Sequence, residues 1–355
     1  MNILILLFIV LSILGLIFKR SKFLTSIILF FIWILAWNES LPDFYNYQVS
    51  YLNHTFSDLG YGLLCSIFDN LGYNYLEFKL IIYALALYSL YNFIIKYSYC
   101  CSLIASLYLI NFSILDIEQC RNFFAFSLFL NALPFLMDRN SMSSRIKYFI
   151  ITLLAASIHV SILFYISFLL INKNSLSNIK CVIIGSIICF IILYVASGLL
   201  VERTTLYMQE TSSLTKQLVV LTFLINLGLI YLYDKRIINH LALRSVSVSS
   251  SQKPLLYISN GSQMVLFINI TLIFLLPLVF NSLSFLRLYR YIGIVNIIFI
   301  SNIILIKHKL FDGIKLYIYA FTYLCIIYAM HSTSLVTKVV PLIFYDNILL
   351  NSLVE

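Results

Sequence analysis

The sequence carries little charge for its length. Charged residues occupy 10% of the 355 positions and hydrophobic residues 62%, whereas about one-quarter of the residues in soluble domains are charged. A water-soluble fold could not bury that much apolar surface, so the composition excludes a soluble globular protein. Strict apolar–polar alternation is also missing, which leaves α-helices as the structure that could cross a bilayer.

Motifs that bind metals or nucleotides are also absent. There is no glycine-rich phosphate loop, no D-x-D carboxylate pair, no His/Cys cluster and no C-x-x-C spacing. The seven cysteines mostly lie in apolar runs, where they act as small hydrophobic residues. We therefore expect no metal and no cofactor: activity should survive a chelator, and loss on chelation that added metal restores would contradict this. The cysteines are Cys65, Cys100, Cys101, Cys120, Cys181, Cys189 and Cys325.

Long apolar runs fill most of the chain. Each is near the length of about 20 residues that a bilayer core requires. The sequence therefore predicts an all-α, polytopic transmembrane protein with about 11–12 membrane segments, forming a single integral membrane domain over residues 1–355. The eleven runs are 2–18, 23–37, 78–95, 99–115, 122–137, 147–171, 181–200, 217–233, 263–282, 286–306 and 312–331.

The formal charge of +9 reflects how the helices are oriented in the membrane, because Lys and Arg fall in short loops between apolar runs. We therefore expect no nucleic-acid partner. Residues 1–18 lack the basic start of a cleaved signal peptide and precede Lys19, Arg20 and Lys22. This pattern predicts a first span with its N-terminus outside. It also predicts a long external loop at 38–77 and a serine-rich cytoplasmic connector at 234–262.

Charge counting suggests a break within the run at 147–171. If that run crosses the membrane once, nine later Lys and Arg residues lie outside and five inside, against the positive-inside rule. A re-entrant hairpin broken near His159 restores the rule. Each limb would have about 12 residues and reach roughly 18 Å, past the midplane of the bilayer. Such hairpins persist where they are buried in protein or line a wet cavity.

The external loop contains aromatic and acidic residues at helical spacing. An S-x-x-D start signal at Ser40 precedes Asp43, Tyr47 and Tyr51, which would share one face of a short helix. Asp43 could be a capping residue and the tyrosines an interfacial belt. Alternatively, this face binds sugar, and the D-L-G-Y sequence at 58–61 would add a further aspartate and tyrosine to such a surface.

A polar turn at 116–122 opens onto an apolar helix. Glu118 and Arg121 stand three positions apart and could pair as a membrane-boundary anchor. Alternatively, Arg121 at a helix start could meet phosphate oxygens with two parallel hydrogen bonds. A pyrophosphate substrate would need that combination.

Three further residues are unusual for an apolar chain. His159 lies deep in an apolar run, where an ionisable side chain usually faces a cavity, or stays neutral and bonds a neighbouring backbone. Arg287 and Arg290 lie at the end of another run and would be external if the hairpin exists. They could be snorkelling interface arginines or anion ligands.

Taken together, these stretches resemble the O-antigen polymerase (Wzy) and EpsG-like exopolysaccharide polymerase family of bacterial inner membranes. The similarity covers roughly residues 40–165, with a weaker C-terminal part. The Q-x-R-N-x-x-A and A-x-x-I-H-x-S elements are its most specific parts. The matching sequences are P-D-F-Y-N-Y with D-L-G-Y, D-I-E-Q-C-R-N-F-F-A, L-A-A-S-I-H-V-S-I-L and R-L-Y-R-Y.

The resemblance implies a site on the external face. One departure is that many relatives carry an arginine just before the first-loop aspartate, where this chain reads A-W-N-E at 36–39. With the residues singled out above, we expect catalytic roles for His159, Arg121, Asp43 and Glu118, and substrate-binding roles for Tyr47, Gln119, Asn122, Arg287 and Arg290.

The implied activity is that of a membrane glycosyltransferase. It would join oligosaccharide repeat units carried on undecaprenyl pyrophosphate into O-antigen, capsule or exopolysaccharide at the periplasmic face of the bacterial inner membrane. Its partners would be that lipid-linked oligosaccharide, membrane lipid and a chain-length regulator protein. The alternatives are an O-antigen ligase, a transporter or flippase of the lipid-linked unit, and a non-catalytic scaffold. Ligases of this kind usually carry a late external loop and transporters related halves, whereas this chain has an early loop and no repeat.

Overall fold

A computed structural model of the chain describes residues 2–56, 58–137, 141–170, 187, 213–243, 264–273, 276, 279, 286–307 and 339–354. Within these residues every regular element is a helix and no strand is present, which confirms the predicted all-α class there. The predicted run at 312–331 lies outside them. So does the run at 181–200, apart from Ile187.

Fifteen α-helices of five or more consecutive residues and one 3₁₀ helix lie in the described part of the chain. The first five are α1 (Ile3–Ile17), α2 (Lys22–Leu35), α3 (Pro42–Leu52), α4 (Leu59–Asn70) and α5 (Tyr75–Tyr97). The next five are α6 (Cys101–Asn111), α7 (Ser113–Glu118), α8 (Cys120–Leu130), α9 (Leu133–Met137) and α10 (Met142–Ile158). The 3₁₀ helix Val160–Leu170 follows, and then α11 (Ser213–Leu243), α12 (264–272), α13 (Leu286–Lys307), α14 (Val340–Tyr345) and α15 (Ile348–Val354).

Helix α5 is the one helix of the described residues that is long and apolar enough to cross a membrane. Its 23 residues give about 34 Å of rise at 1.5 Å per residue, which exceeds a hydrocarbon core of about 30 Å. Its start is fixed by a capping box, in which Asn74 Oδ1 accepts from the Glu77 N–H at 2.9 Å and Glu77 Oε2 accepts from the Asn74 N–H at 2.8 Å. Other apolar helices, including α1, α2 and α6, have 10–17 residues.

The chain forms two compact units. The first contains Met1–Asn131, Ile151–Ile162 and Tyr317–Glu355, and the second contains Ala132–Ile150 and Leu163–Leu316. Helix α10 and the 3₁₀ helix each contribute residues to both. The single membrane domain over 1–355 stays a prediction.

In the first unit, α1 packs against α6 through small residues. A Cβ atom added to Gly15 would lie 2.7 Å from the Ser102 carbonyl oxygen and closer still to the Ser106 hydroxyl. Only glycine allows that approach, and small residues spaced in this way are typical of helix pairs in membranes. The Ser102 hydroxyl also donates to the Phe18 carbonyl, which closes the turn after α1.

The C-terminal end of α2 is a polar junction in the first unit. Its last carbonyl groups have no partner within the helix and need donors from elsewhere. Buried Lys79 donates through Nζ to the carbonyls of Ala36 (3.2 Å) and Asn38 (3.0 Å). Asn347 donates to the Ile34 carbonyl at 2.9 Å. The C-terminal segment with α14 and α15, which periodicity did not reveal, therefore docks on this helix end.

The predicted break near His159 is present, with different limb lengths. Helix α10 ends at Ile158 and the 3₁₀ helix starts at Val160. The first limb has 17 residues and the second 11, so the expected 12-residue first limb was too short. Helix α10 begins before the apolar run because Ser141 precedes it and caps its first turn. The Ser141 Oγ atom accepts a hydrogen bond from the Ser144 N–H at 3.4 Å. That the chain turns back here stays a prediction.

In the second unit, polar side chains pair between apolar helices. Asn269 and Asn296 exchange side-chain amide hydrogen bonds of 2.8 and 2.9 Å between α12 and α13. Tyr289 of α13 stacks on Phe223 of α11, with ring centroids 4.0 Å apart, and accepts from the Asn226 amide. Side-chain hydrogen bonds between apolar helices are typical of membrane proteins.

Helix α11 also corrects a predicted boundary. It runs to Leu243, ten residues into the segment 234–262 that the sequence assigns to a connector. The sequence from 234 to 243 has no proline or glycine to stop a helix. Residues 244–262 lie outside the described part of the chain.

Candidate functional site

Arg121 is placed by a break between two helices. Helix α7 ends at Glu118, Gln119 leaves helical geometry with φ −96° and ψ 48°, and α8 starts at Cys120. Arg121 is therefore the second residue of α8, and its side chain is 16% exposed. A guanidinium group in this position is accessible and still mostly shielded from water, which strengthens its interaction with an anion.

Asp58 forms an ion pair with Arg121. The Arg121 Nη1 atom lies 2.9 Å from Asp58 Oδ2, and the Asp58 side chain is 10% exposed. The other carboxylate oxygen, Oδ1, accepts from the Val160 backbone N–H at 3.4 Å. One carboxylate thus contacts both the start of α8 and the start of the 3₁₀ helix.

Two aromatic rings also contact the Arg121 guanidinium. Its Cζ atom lies 5.4 Å from the ring centroid of Tyr47 and 5.6 Å from that of Tyr61. Phe56 lies between these tyrosines, with centroid distances of 6.4 Å to Tyr47 and 4.9 Å to Tyr61. Burial raises the pKa of the Tyr61 phenol well above its usual value, so Tyr61 stays uncharged. We call Tyr47, Phe56 and Tyr61 the aromatic box.

His159 occupies the break after α10 and is buried. Its Nδ1 atom lies 2.7 Å from the Ser161 hydroxyl and 3.3 Å from the Ser161 backbone nitrogen. A backbone N–H can only donate, so Nδ1 accepts and the neutral ring carries its proton on Nε2. In this state the imidazole can donate a hydrogen bond through Nε2.

A close approach between α4 and α10 brings the loop to the His159 break. A Cβ atom on Gly60 would lie 2.9 Å from Ser157 Cβ, nearer than real Cβ contacts come, and 3.0 Å from the Ser157 carbonyl oxygen, which is tighter than most. Gly60 is two residues from Asp58, and Ser157 is two residues from His159. The missing side chain at Gly60 therefore lets Asp58 reach Val160.

Replacing Gly60 with alanine is expected to lower the free energy of unfolding by about 1–3 kcal/mol, because the new methyl group overlaps Ser157. Gly62→Ala is the matched control in the same helix, since its nearest neighbour would be Phe56 Cβ at 3.5 Å. That change should be neutral or slightly stabilising through helix propensity. Unfolding of the purified variants in detergent measures both. Equal effects at Gly60 and Gly62 would contradict the close approach.

The structure brings three of the predicted site residues into one cluster in the first unit. Tyr47 contacts Arg121, and Asp58 connects Arg121 to the segment that carries His159. Asp43 lies one helical turn before Tyr47 on α3, which packs against α7.

Other predicted residues flank this cluster or lie elsewhere. Gln119 and Asn122 lie on either side of Arg121, and the buried Asn122 Oδ1 atom has no hydrogen-bond partner. Arg287 and Arg290 lie in the first turns of α13 in the second unit, where Arg290 is buried with its Cζ 4.9 Å from the Tyr291 ring centroid.

One of the two alternatives for the polar turn, a pairing of Glu118 with Arg121, needs correction. It assumed one continuous helix, whereas the break at Gln119 puts the two residues on different helices, so helical i, i+3 spacing does not apply. The ion pair that the structure gives Arg121 is with Asp58. The S-x-x-D capping box is also not formed, because Leu41 is the N-cap of α3 and makes no side-chain cap bond.

Sequence reasoning grouped Asp58, Gly60 and Tyr61 with the sugar-binding alternative but did not include them among the predicted site residues. The D-L-G-Y sequence was the available signal, because an aspartate, a glycine and a tyrosine cluster there in an otherwise apolar chain. The partner of the aspartate lies 63 positions away (121 − 58), which no local pattern reveals.

Metal binding has little support among the side chains that the structure describes. No group of three or more His, Cys, Asp or Glu side chains lies close enough there to hold a metal ion. The expectation of metal-independent activity stays a prediction.

Cys65 is expected to resist alkylation. Burial raises the pKa of its thiol to about 12, although the positive charge of Arg121 acts in the opposite direction. Little thiolate is then present at pH 7.5, and the thiolate is the reactive form. In an Asn70→Cys variant, a water-soluble maleimide should label the exposed position at least about 100-fold faster than Cys65, as read by peptide mass spectrometry. Comparable labelling rates would contradict the buried position of Cys65.

The comparisons with known proteins agree with the resemblance seen in the sequence. The family model described as EpsG family matches residues 21–344, a range that includes Asp58, Arg121 and His159. No curated protein and no solved structure matches the chain. The family model covers far more than half of the chain and confirms the predicted relationship. The chain belongs to the EpsG family.

Proposed function

We propose that the chain polymerises undecaprenyl-pyrophosphate-linked oligosaccharide repeat units into O-antigen, capsule or exopolysaccharide. Membership in the EpsG family supports a membrane protein with a polysaccharide polymerase-type function. The observation that carries the specific reaction is the Arg121 guanidinium, partly exposed and held by Asp58 and two tyrosine rings. A fixed cationic fork of this kind suits phosphate oxygens.

The reaction transfers the growing glycan from its lipid carrier. A hydroxyl oxygen of the acceptor repeat unit forms a bond to the anomeric carbon of the donor glycan. The bond from that carbon to the pyrophosphate oxygen breaks, and undecaprenyl pyrophosphate leaves with the electron pair. The hydroxyl proton passes to a base. The leaving group is already good, so the protein's main contributions are orientation and stabilisation of departing charge.

Arg121 would stabilise the negative charge that develops on the pyrophosphate oxygen. The aromatic box and Asp58 fix its side chain before substrate arrives, which reduces the reorganisation needed at the transition state. Gln119 and Asn122 next to it are proposed to donate to phosphate or sugar oxygens. Arg287 and Arg290 of the second unit stay proposed substrate-binding residues.

His159 would donate a hydrogen bond to substrate through Nε2, because Ser161 occupies Nδ1. In that role His159 orients a sugar hydroxyl or a phosphate oxygen. Because Nε2 already carries a proton, a carboxylate would accept the proton of the attacking hydroxyl. Asp43 and Glu118 are the proposed bases. Tyr47 would place its ring against the sugar.

The proposed location is the bacterial inner membrane, with several membrane-spanning helices, the N-terminus in the periplasm and the site at the periplasmic face. The predicted external position of the loop 38–77, which supplies Asp58 and all three residues of the aromatic box, supports that face. A chain-length regulator would be the protein partner.

Deletion of the gene tests the proposal directly. In the deletion strain, a gel of surface glycan should show a single repeat unit on its acceptor in place of a ladder, and the wild-type gene should restore the ladder. Loss of even the single unit would favour a ligase or flippase. An unchanged ladder would contradict the polymerase proposal.

A further inference from the structure

Asp58 stands where an aspartate usually caps its own helix, but its side chain is used elsewhere. It is the N-cap residue of α4, with φ −88° and ψ 114°, and it makes no side-chain cap hydrogen bond. An N-cap aspartate normally accepts from the N–H groups of the first turn and stabilises the helix. Here both carboxylate oxygens contact other segments, so the first turn of α4 lacks the stabilisation that a side-chain cap would give.

The two contacts of Asp58 connect Arg121 with the turn that carries His159, and both of these residues have roles in the proposed reaction. Oδ2 lies 2.9 Å from Arg121 Nη1, and Oδ1 accepts from the Val160 N–H at 3.4 Å, at the residue that follows His159. A charge-assisted bond to a guanidinium group is both strong and directional. The Asp58 side chain is 10% exposed and that of Arg121 16%, so little water competes for this ion pair, whereas Val160 is exposed.

We infer that Asp58 is a positioning residue that fixes Arg121 and the His159 turn relative to each other. The inference rests on the proposed function, because it assigns Asp58 a task in that reaction. Asp58 does not touch the reacting atoms. It acts through Arg121, whose guanidinium it orients, and through the backbone next to His159.

Two variants separate the contacts of Asp58. Asp58→Asn keeps an oxygen that can accept from the Val160 N–H but removes the charge that pairs with Arg121. Asp58→Glu restores the charge on a side chain one methylene longer. Asp69→Asn is the matched control, because Asp69 is a carboxylate of the same helix that also contacts a basic side chain, with Oδ2 3.3 Å from His54 Nε2, and is 38% exposed.

Kinetics of the full chain in liposomes, with a lipid-linked repeat unit, provide the first readout. Asp58→Asn should lower kcat about 100-fold, since small misplacements of a catalytic group have effects of that size, and should change KM less than about threefold. Asp58→Glu should recover part of kcat, and Asp69→Asn should match wild type. A raised KM with unchanged kcat would overturn the inference, as would an equal loss in Asp69→Asn.

A second readout needs no catalysis. Phenylglyoxal modifies accessible arginine side chains, and mass spectrometry gives its rate at Arg121. Asp58→Asn should raise that rate at least about threefold by releasing a charge-assisted bond, with Asp69→Asn unchanged. Equal rates would overturn the inference. If wild type made no polymer but the rates differed as expected, the proposed function would fail while the role of Asp58 in holding Arg121 would stand.

Discussion

Replacing Arg121 with alanine is expected to lower polymer synthesis by about 100- to 1,000-fold, the effect of removing one fixed donor to a developing oxyanion. The structure provides three reasons for a loss at the upper end. The guanidinium is only 16% exposed, it pairs with Asp58, and it contacts two tyrosine rings. A partly dry, preorganised cation stabilises charge more strongly than a solvated one.

Arg121→Lys separates charge from geometry. Lysine keeps the positive charge but cannot make two parallel hydrogen bonds to phosphate or stack on Tyr47 as a planar group. Its activity should lie at least about tenfold below wild type, and above that of Arg121→Ala. Initial rates with a lipid-linked repeat unit measure both variants. Arg20→Ala is the control, because Arg20 is an exposed arginine in the turn after α1. Activity of Arg121→Ala within threefold of wild type would contradict the proposed role.

Replacing His159 with alanine is expected to lower turnover about 100-fold, a typical contribution of a proton-handling or orienting group. The tautomer makes a sharper prediction possible. Because Ser161 occupies Nδ1, a donor near the Nε2 position should matter most. His159→Gln places an amide N–H near that position and should keep more activity than His159→Ala.

The matched control for His159 is the exposed His54. It lies in the loop with φ 51°, so asparagine, which tolerates that backbone conformation, is the suitable replacement. His54→Asn should leave turnover unchanged. If His159→Gln and His159→Ala were equally inactive at wild-type abundance, donation through Nε2 would be wrong and a base role for His159 would be favoured.

Helix positions in the first unit could be predicted well where apolar periodicity and caps agree. The predicted run at 78–95 lies inside α5, and the predicted run at 2–18 differs from α1 by one residue at each end. The break near His159 was also predicted from charge counting, and the re-entrant turn that this counting requires stays a prediction. Apolar composition and periodicity therefore predicted the positions of these helices.

Other features were hidden because they depend on contacts between distant segments. The polar turn at 116–122 gave the position of Arg121 but suggested Glu118 as its partner, since local spacing is all that a sequence shows. The ion pair with Asp58 requires the close approach of Gly60 to Ser157, which is a property of packing. The docking of Asn347 on the end of α2 is of the same kind.

The measurement that tests the central claim most directly uses purified protein in liposomes. It follows a synthetic undecaprenyl-pyrophosphate repeat unit and counts both elongated glycan and released undecaprenyl pyrophosphate. The account predicts a ladder of products with one lipid pyrophosphate released per bond formed, in wild type and Arg20→Ala but not in Arg121→Ala. Movement of the lipid-linked unit across the bilayer without new glycosidic bonds, or a full ladder from Arg121→Ala, would contradict it.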